Sequence, residues 1–104
     1  MAKTMDLIEM DFQNAVKAAD ELEQIAKNLH TLADSRFQSC LSGIAANWKG
    51  ENAAAFCKKG SIVGDHILDS ASDLRNAAQT LREMARNLYE AEKKNYEIAK
   101  NREI

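Results

Sequence analysis

The chain has 104 residues, no Pro, 4 Gly and a formal charge of −2 from 14 basic and 16 acidic side chains. That length holds one small domain at most, and the well-mixed charges exclude a nucleic-acid surface, which needs a clustered basic stripe; they also give no support to binding anionic membranes. Aromatic residues make up only 6%, and the dominance of Ala, Leu, Glu, Lys, Asn and Asp favours long helices, because Ala and straight-chain residues lose little freedom on entering a helix.

In chain order, Thr4 to Glu9 supplies the hydroxyl and carboxylate groups that suit a helix start. Apolar residues then recur at Ile8, Phe12, Ala15, Ala19, Leu22, Ala26, Leu29, Ala33, Cys40 and Ile44. The steps alternate three and four, with one step of seven over Arg36 and Phe37, which marks one face of a helix over about residues 5–46. The break falls at 47–51, where Asn47 and Gly50 can take left-handed backbone conformations. The pattern resumes at Phe56, Gly60, Val63, Ile67, Ala71, Leu74, Ala78, Leu81, Ala85 and Leu88, predicting a second helix over about residues 52–100. Each helix of about 40 residues would be on the order of 60 Å long.

So short a connection makes the two helices antiparallel neighbours, and residues 1–104 form a single all-α hairpin domain. Gly60 and Gly64 mark a kink or a close helix crossing, at about 1 kcal/mol each against Ala. Ile25 and Leu32 flank one apolar stripe, and Ile62, Leu68 and Met84 the other. A single seam leaves those side chains wet, so the pattern predicts a dimer of hairpins, a four-helix bundle. No segment has the roughly 20 apolar residues of a membrane span, and the first residues contain no signal-peptide core. The expectation is a protein made in the cytoplasm that, if exported, leaves without a cleaved signal.

Chemistry-bearing residues are sparse. Cys40 and Cys57 face each other in a hairpin centred near residue 48, so they are either a disulfide staple or two buried thiols packing as small hydrophobes. His30 and His66 lie one position off the apolar stripes, as boundary histidines do. A zinc site joining them to the cysteines is excluded by length: His30 and Cys40 are about 15 Å apart along a helix, whereas zinc ligands sit about 2 Å from one ion. There is no phosphate-binding Gly loop, no HExxH and no nucleophile elbow. We therefore expect no enzyme activity, no cofactor and no metal. Trp48 is either a large anchor over the end of the bundle or a recognition residue.

Trp48-Lys49-Gly50 at midchain, between two long helical patterns and followed by Ala53, Ala54, Ala55 and Phe56, resembles the WXG superfamily, the ESAT-like small proteins of bacterial type VII secretion. The resemblance covers the whole chain in length and layout. It implies a helical hairpin that forms an antiparallel four-helix bundle with itself or with a related helical protein. It also implies folded export by an apparatus driven by an FtsK/SpoIIIE-type ATPase. Trp48 and Gly50 would then meet the C-terminal segment of the partner to form a composite export-recognition surface, with Asn47 and Phe56 shaping and packing the turn.

The tail departs from the family's Tyr-x-x-x-Asp/Glu signal. Lys93 stands four residues after Tyr89 and Lys100 four after Tyr96, while Glu92 stands three after Tyr89. Three and four residues are both neighbours on a helix face, so Tyr89, Glu92 and Tyr96 remain the candidate signal residues. The altered spacing points to a second role, a cytosolic targeting partner that holds the helical N-terminal domain of a larger secreted toxin.

Overall fold

The computed structural model describes residues 3–102, and among them every regular element is helical. Helix α1 is Met5–Thr31, a π-helical turn covers Leu32–Phe37, α2 is Gln38–Asn47, and α3 is Glu51–Arg102. Thr4 starts α1: its hydroxyl accepts from the Leu7 amide at 3.3 Å and its carbonyl from the Ile8 amide at 3.0 Å. Asp6 adds negative charge where the helix dipole favours it.

By its contacts the chain divides into two compact units, one formed by the chain up to Leu22 with the chain from Asn76 onward, the other by Glu23–Arg75. In the first unit the ends of α1 and α3 meet through the Phe12 and Tyr89 rings, 4.7 Å between centroids, and through Arg82 and Asp20 at 2.7 Å. Ile8, Ala19, Ala78 and Ala85 are buried there. In the second unit the buried residues are Ala26, Ala33, Leu41, Ala53, Gly64 and Ala71.

The core is built of small side chains. Among the described residues seven of the nine buried apolar residues are Ala, and six of them recur at intervals of seven, Ala19, Ala26 and Ala33 on α1 and the turn after it, Ala71, Ala78 and Ala85 on α3. Within each unit a repeat of seven keeps a narrow line of side chains on one helix face. Methyl-sized residues on that line let helix axes approach toward the lower end of the usual 8–10 Å. Gly64 belongs to the same α3 series and is buried, whereas its neighbour Val63, which the periodicity placed on the stripe, is half exposed. A tight seam selects by size, and Val is too wide for it.

Two features of the first helical half differ from the sequence expectation. The helix over 5–46 is interrupted by the π turn, and the buried residue after Ala33 is Leu41, eight positions on, rather than Cys40. A π turn carries one residue more than an α turn, so everything after it is rotated by about 100° relative to a regular helix. The reason is in the side chains: the rotation brings Phe37 and Leu41 inward in place of Arg36 and Cys40. The Ser35 hydroxyl donates to the Thr31 carbonyl at 2.9 Å, occupying a backbone acceptor at the mouth of the turn.

The two glycines of α3 receive what the π turn delivers. A Cβ on Gly60 would lie 2.6 Å from Leu41 Cδ2, and one on Gly64 would lie 3.1 Å from Phe37 Cδ1. They mark a close approach, with α3 continuous through both.

Candidate recognition surface

The midchain turn is short because only Trp48, Lys49 and Gly50 lie outside helix. Asn47 stays helical, contrary to the expectation of a left-handed residue there, and its side-chain amide donates to the Gly43 carbonyl at 2.9 Å. The Lys49 ammonium donates to the Ala45 carbonyl at 3.3 Å and the Trp48 amide to Ile44 at 2.8 Å. The last two occupy the Ile44 and Ala45 carbonyls, two of the four that the end of α2 leaves open. Trp48 then turns to extended backbone, φ −126° and ψ 113°. Gly50, at φ 115°, takes the conformation that costs a side chain most, and its carbonyl accepts the first bond of α3 from Ala54 at 3.1 Å.

This backbone holds Trp48 outward. Its ring packs on Phe56, 5.8 Å between centroids at 53°, and the two remain 46% and 49% exposed. Phe56 is therefore less a core residue than the partner of the Trp in an exposed aromatic pair. Beside it a small concavity of about 210 Å³ is lined by Ala45, Trp48, Lys49, Gly50, Ala53, Ala54 and Cys57.

The cysteines lie next to this turn as free thiols. Cys40 is exposed and Cys57 is half-buried, its Sγ 3.8 Å from the Leu41 carbonyl oxygen, to which it donates. The π turn has put Leu41 where the periodicity put Cys40. His30 and His66 are exposed, and among the described residues no group of three His, Cys, Asp or Glu side chains is placed to hold a metal ion.

The candidate tail residues belong to the other unit, and all three are half-buried. Tyr89 lies against Phe12 at 32° between ring planes. Glu92 is gripped by the Lys3 ammonium at 3.0 Å, and Lys3 also reaches Asp11 at 2.8 Å. The hydrogen bonds that the Lys3 ammonium donates to Asp11 first and then to Glu92 hold it above its ordinary pKa of 10.5, so its charge is kept through the neutral range and is lost as pH rises past that raised value. Tyr96 lines a shallow hollow with Lys3, Ile8, Glu92 and Asn95. Phe12 and Lys3 were missed as site residues because their partners are more than 70 positions away, and nothing local in "MAKTMDLIEMDF" announces such a contact.

A larger concavity, about 590 Å³, is an open groove in the same unit, with Phe12 and Val16 on one side and Gln79, Arg82 and Arg86 on the other. Arg82 is committed to Asp20. The groove brings together no nucleophile with a base and no paired carboxylates.

The described residues thus define an all-helical protein that carries two groups of aromatic and polar side chains, one at its midchain turn and one on its last helix. No family model, curated protein or solved structure matches the chain. No helix among the described residues is long and apolar enough to cross a membrane.

Proposed function

We propose that this chain is a small helical secretion protein of the WXG type. Its two helical halves form an antiparallel hairpin, two hairpins pair as a four-helix bundle, and a type VII apparatus recognises the bundle through Trp48 and Gly50 together with the partner's C-terminal helix. The observation that carries this reading is what the seam leaves outside. With Ala filling the core, Ile25, Leu32, Ile62 and Met84 stand 43–63% exposed, and the Trp48–Phe56 pair with them. Taking such a side chain from fully exposed to fully buried is worth roughly 1.5–3 kcal/mol, and about half of that is still to be gained at each position, so a second helical chain is the natural cover. Leu68, which the sequence placed in the same flank, is half-buried.

Replacing Trp48 with Ala tests the recognition role, with export and dimerisation measured side by side. We expect export to fall at least about tenfold while the dimer persists, since a half-exposed residue at a turn contributes little to folding. Unchanged export removes the recognition role; loss of the folded state makes Trp48 an anchor.

A second reading, a targeting partner for a larger toxin, is favoured by the state of the tail. Tyr89 and Glu92 are already engaged by Phe12 and Lys3 of the same chain, which leaves less of them for an export machine to grip. Co-expression with the helical N-terminal domain of a toxin encoded nearby separates the two: rescue of an otherwise aggregating chain supports the second.

A further inference from the structure

Small buried residues in the Glu23–Arg75 unit follow two series with seven-residue steps, Ala26 and Ala33 before the turn, Gly64 and Ala71 after it. One more step toward the turn along each series reaches Cys40 and Cys57. Both thiols have the size this seam accepts. What keeps Cys40 out is the extra residue in the π turn Leu32–Phe37, which leaves Cys40 exposed and buries Leu41 beside Cys57.

We propose that Cys40 and Cys57 are a redox-sensitive pair that closes into a disulfide when the π turn becomes regular α-helix. Removing the surplus residue from that turn rotates α2 by about 100° and advances it by about 1.5 Å, which carries Cys40 to the place Leu41 holds. The surplus residue passes into the non-helical Trp48–Gly50, where Gly50 already takes φ 115°. A disulfide needs Cα atoms within about 7 Å, and a line of Ala and Gly is where two helices come closest. With both thiols reduced, burial of Leu41 against Gly60 and the close approach of Phe37 to Gly64 hold the π register. The disulfide holds the other.

The chemistry is thiol–disulfide exchange with a low-molecular-weight disulfide. The exposed Cys40 thiolate attacks one sulfur of glutathione disulfide, that S–S bond breaks, and one glutathione leaves as the thiol. The Cys57 thiolate then attacks the Cys40 sulfur of the mixed disulfide and expels the second glutathione. The two protein sulfurs lose two electrons, the oxidant's sulfurs gain them, and both thiol protons end on glutathione.

The pair exists whether or not the chain is exported, so its test is independent of secretion. Full-length protein is incubated with glutathione disulfide and mapped by non-reducing peptide mass spectrometry, while the emission of Trp48, the single Trp of the chain, is followed. An intrachain Cys40–Cys57 disulfide is expected, with a change in Trp48 emission at the same rate. Leu41→Ala, which weakens the hold of the π register, speeds closure at least about tenfold. Deleting Ser35 removes the surplus residue while keeping Phe37 and Leu41 on the seam, and slows closure by a similar factor with both cysteines present. A lasting glutathione adduct on Cys40 with Cys57 free, or Cys40–Cys40 dimers as the sole disulfide, overturns the proposal. So does closure at an unchanged rate in the Leu41→Ala protein, which decides the matter if the deletion variant does not fold.

Discussion

Leu41→Ala is expected to lower the unfolding free energy by about 2–4 kcal/mol, read as a drop in urea midpoint at constant slope. Leu41 is the one large side chain buried in the Glu23–Arg75 unit, where the other buried residues are Ala and Gly. Its methyl groups fill the space that Gly60 leaves by having no side chain, and neither Gly60 nor the neighbouring Ala residues can collapse into the hole. Gly60→Ala alone forces a contact of 2.6 Å onto a buried Leu, which offsets the roughly 1 kcal/mol that Ala gains over Gly within a helix. In the Leu41→Ala background the same change meets open space and recovers part of the loss. The two substitutions should therefore be strongly non-additive, with a coupling on the order of 1 kcal/mol or more in a double-mutant cycle.

Ala26→Leu is expected to be as damaging from the opposite direction, at about 3 kcal/mol, because it adds three carbons to a position with no exposed surface. Helix propensity hardly distinguishes the two residues, so the loss reports packing alone. The same change at Ala55, which is exposed on α3, should stay within about 0.5 kcal/mol. Thermal melts of the pair measure the difference. Equal effects at the two positions would mean that the seam is not close-packed at Ala26.

These two substitutions bear on the parts of the structure that sequence patterning reached least well. The helical character, the Thr4 start and the break at Trp48–Gly50 were legible, because composition, capping groups and a lone Gly between two periodic runs are local signals. The π turn was not, although a trace of it stood in the pattern: the seven-residue step from Ala33 to Cys40 over Arg36 and Phe37. An unbroken α period makes Cys40 the next seam residue. The choice between Cys40 and Leu41 depends on what faces them from α3, and Gly60 and Gly64 are the facing residues. Val63 was preferred to Gly64 for a related reason. Hydropathy rewards the larger side chain, while a seam of Ala rewards the smaller one.

The candidate surface was legible only by its residue types. Trp48 and Gly50 were singled out by position and resemblance, and the turn does hold the Trp outward beside Phe56. The engagement of Tyr89 by Phe12 and of Glu92 by Lys3 depends on which residues of distant segments align. An ion pair as exposed as Lys3–Glu92 is screened by solvent, so this engagement biases the tail without locking it. A machine or a partner chain that offers the tail a better surface can displace Lys3.

Behind the functional proposal stands a contrast between small and large apolar residues: the buried positions are mostly Ala, while Ile25, Leu32, Ile62, Met84, Trp48 and Phe56 stay exposed, and the proposal covers them with a second helical chain. Size-exclusion chromatography with light scattering on the purified protein tests it most directly. A mass of twice 11.6 kDa, falling to one chain when Leu32 is replaced by Asp with helicity retained, is the expected result. A well-folded particle of 11.6 kDa at micromolar concentration contradicts it.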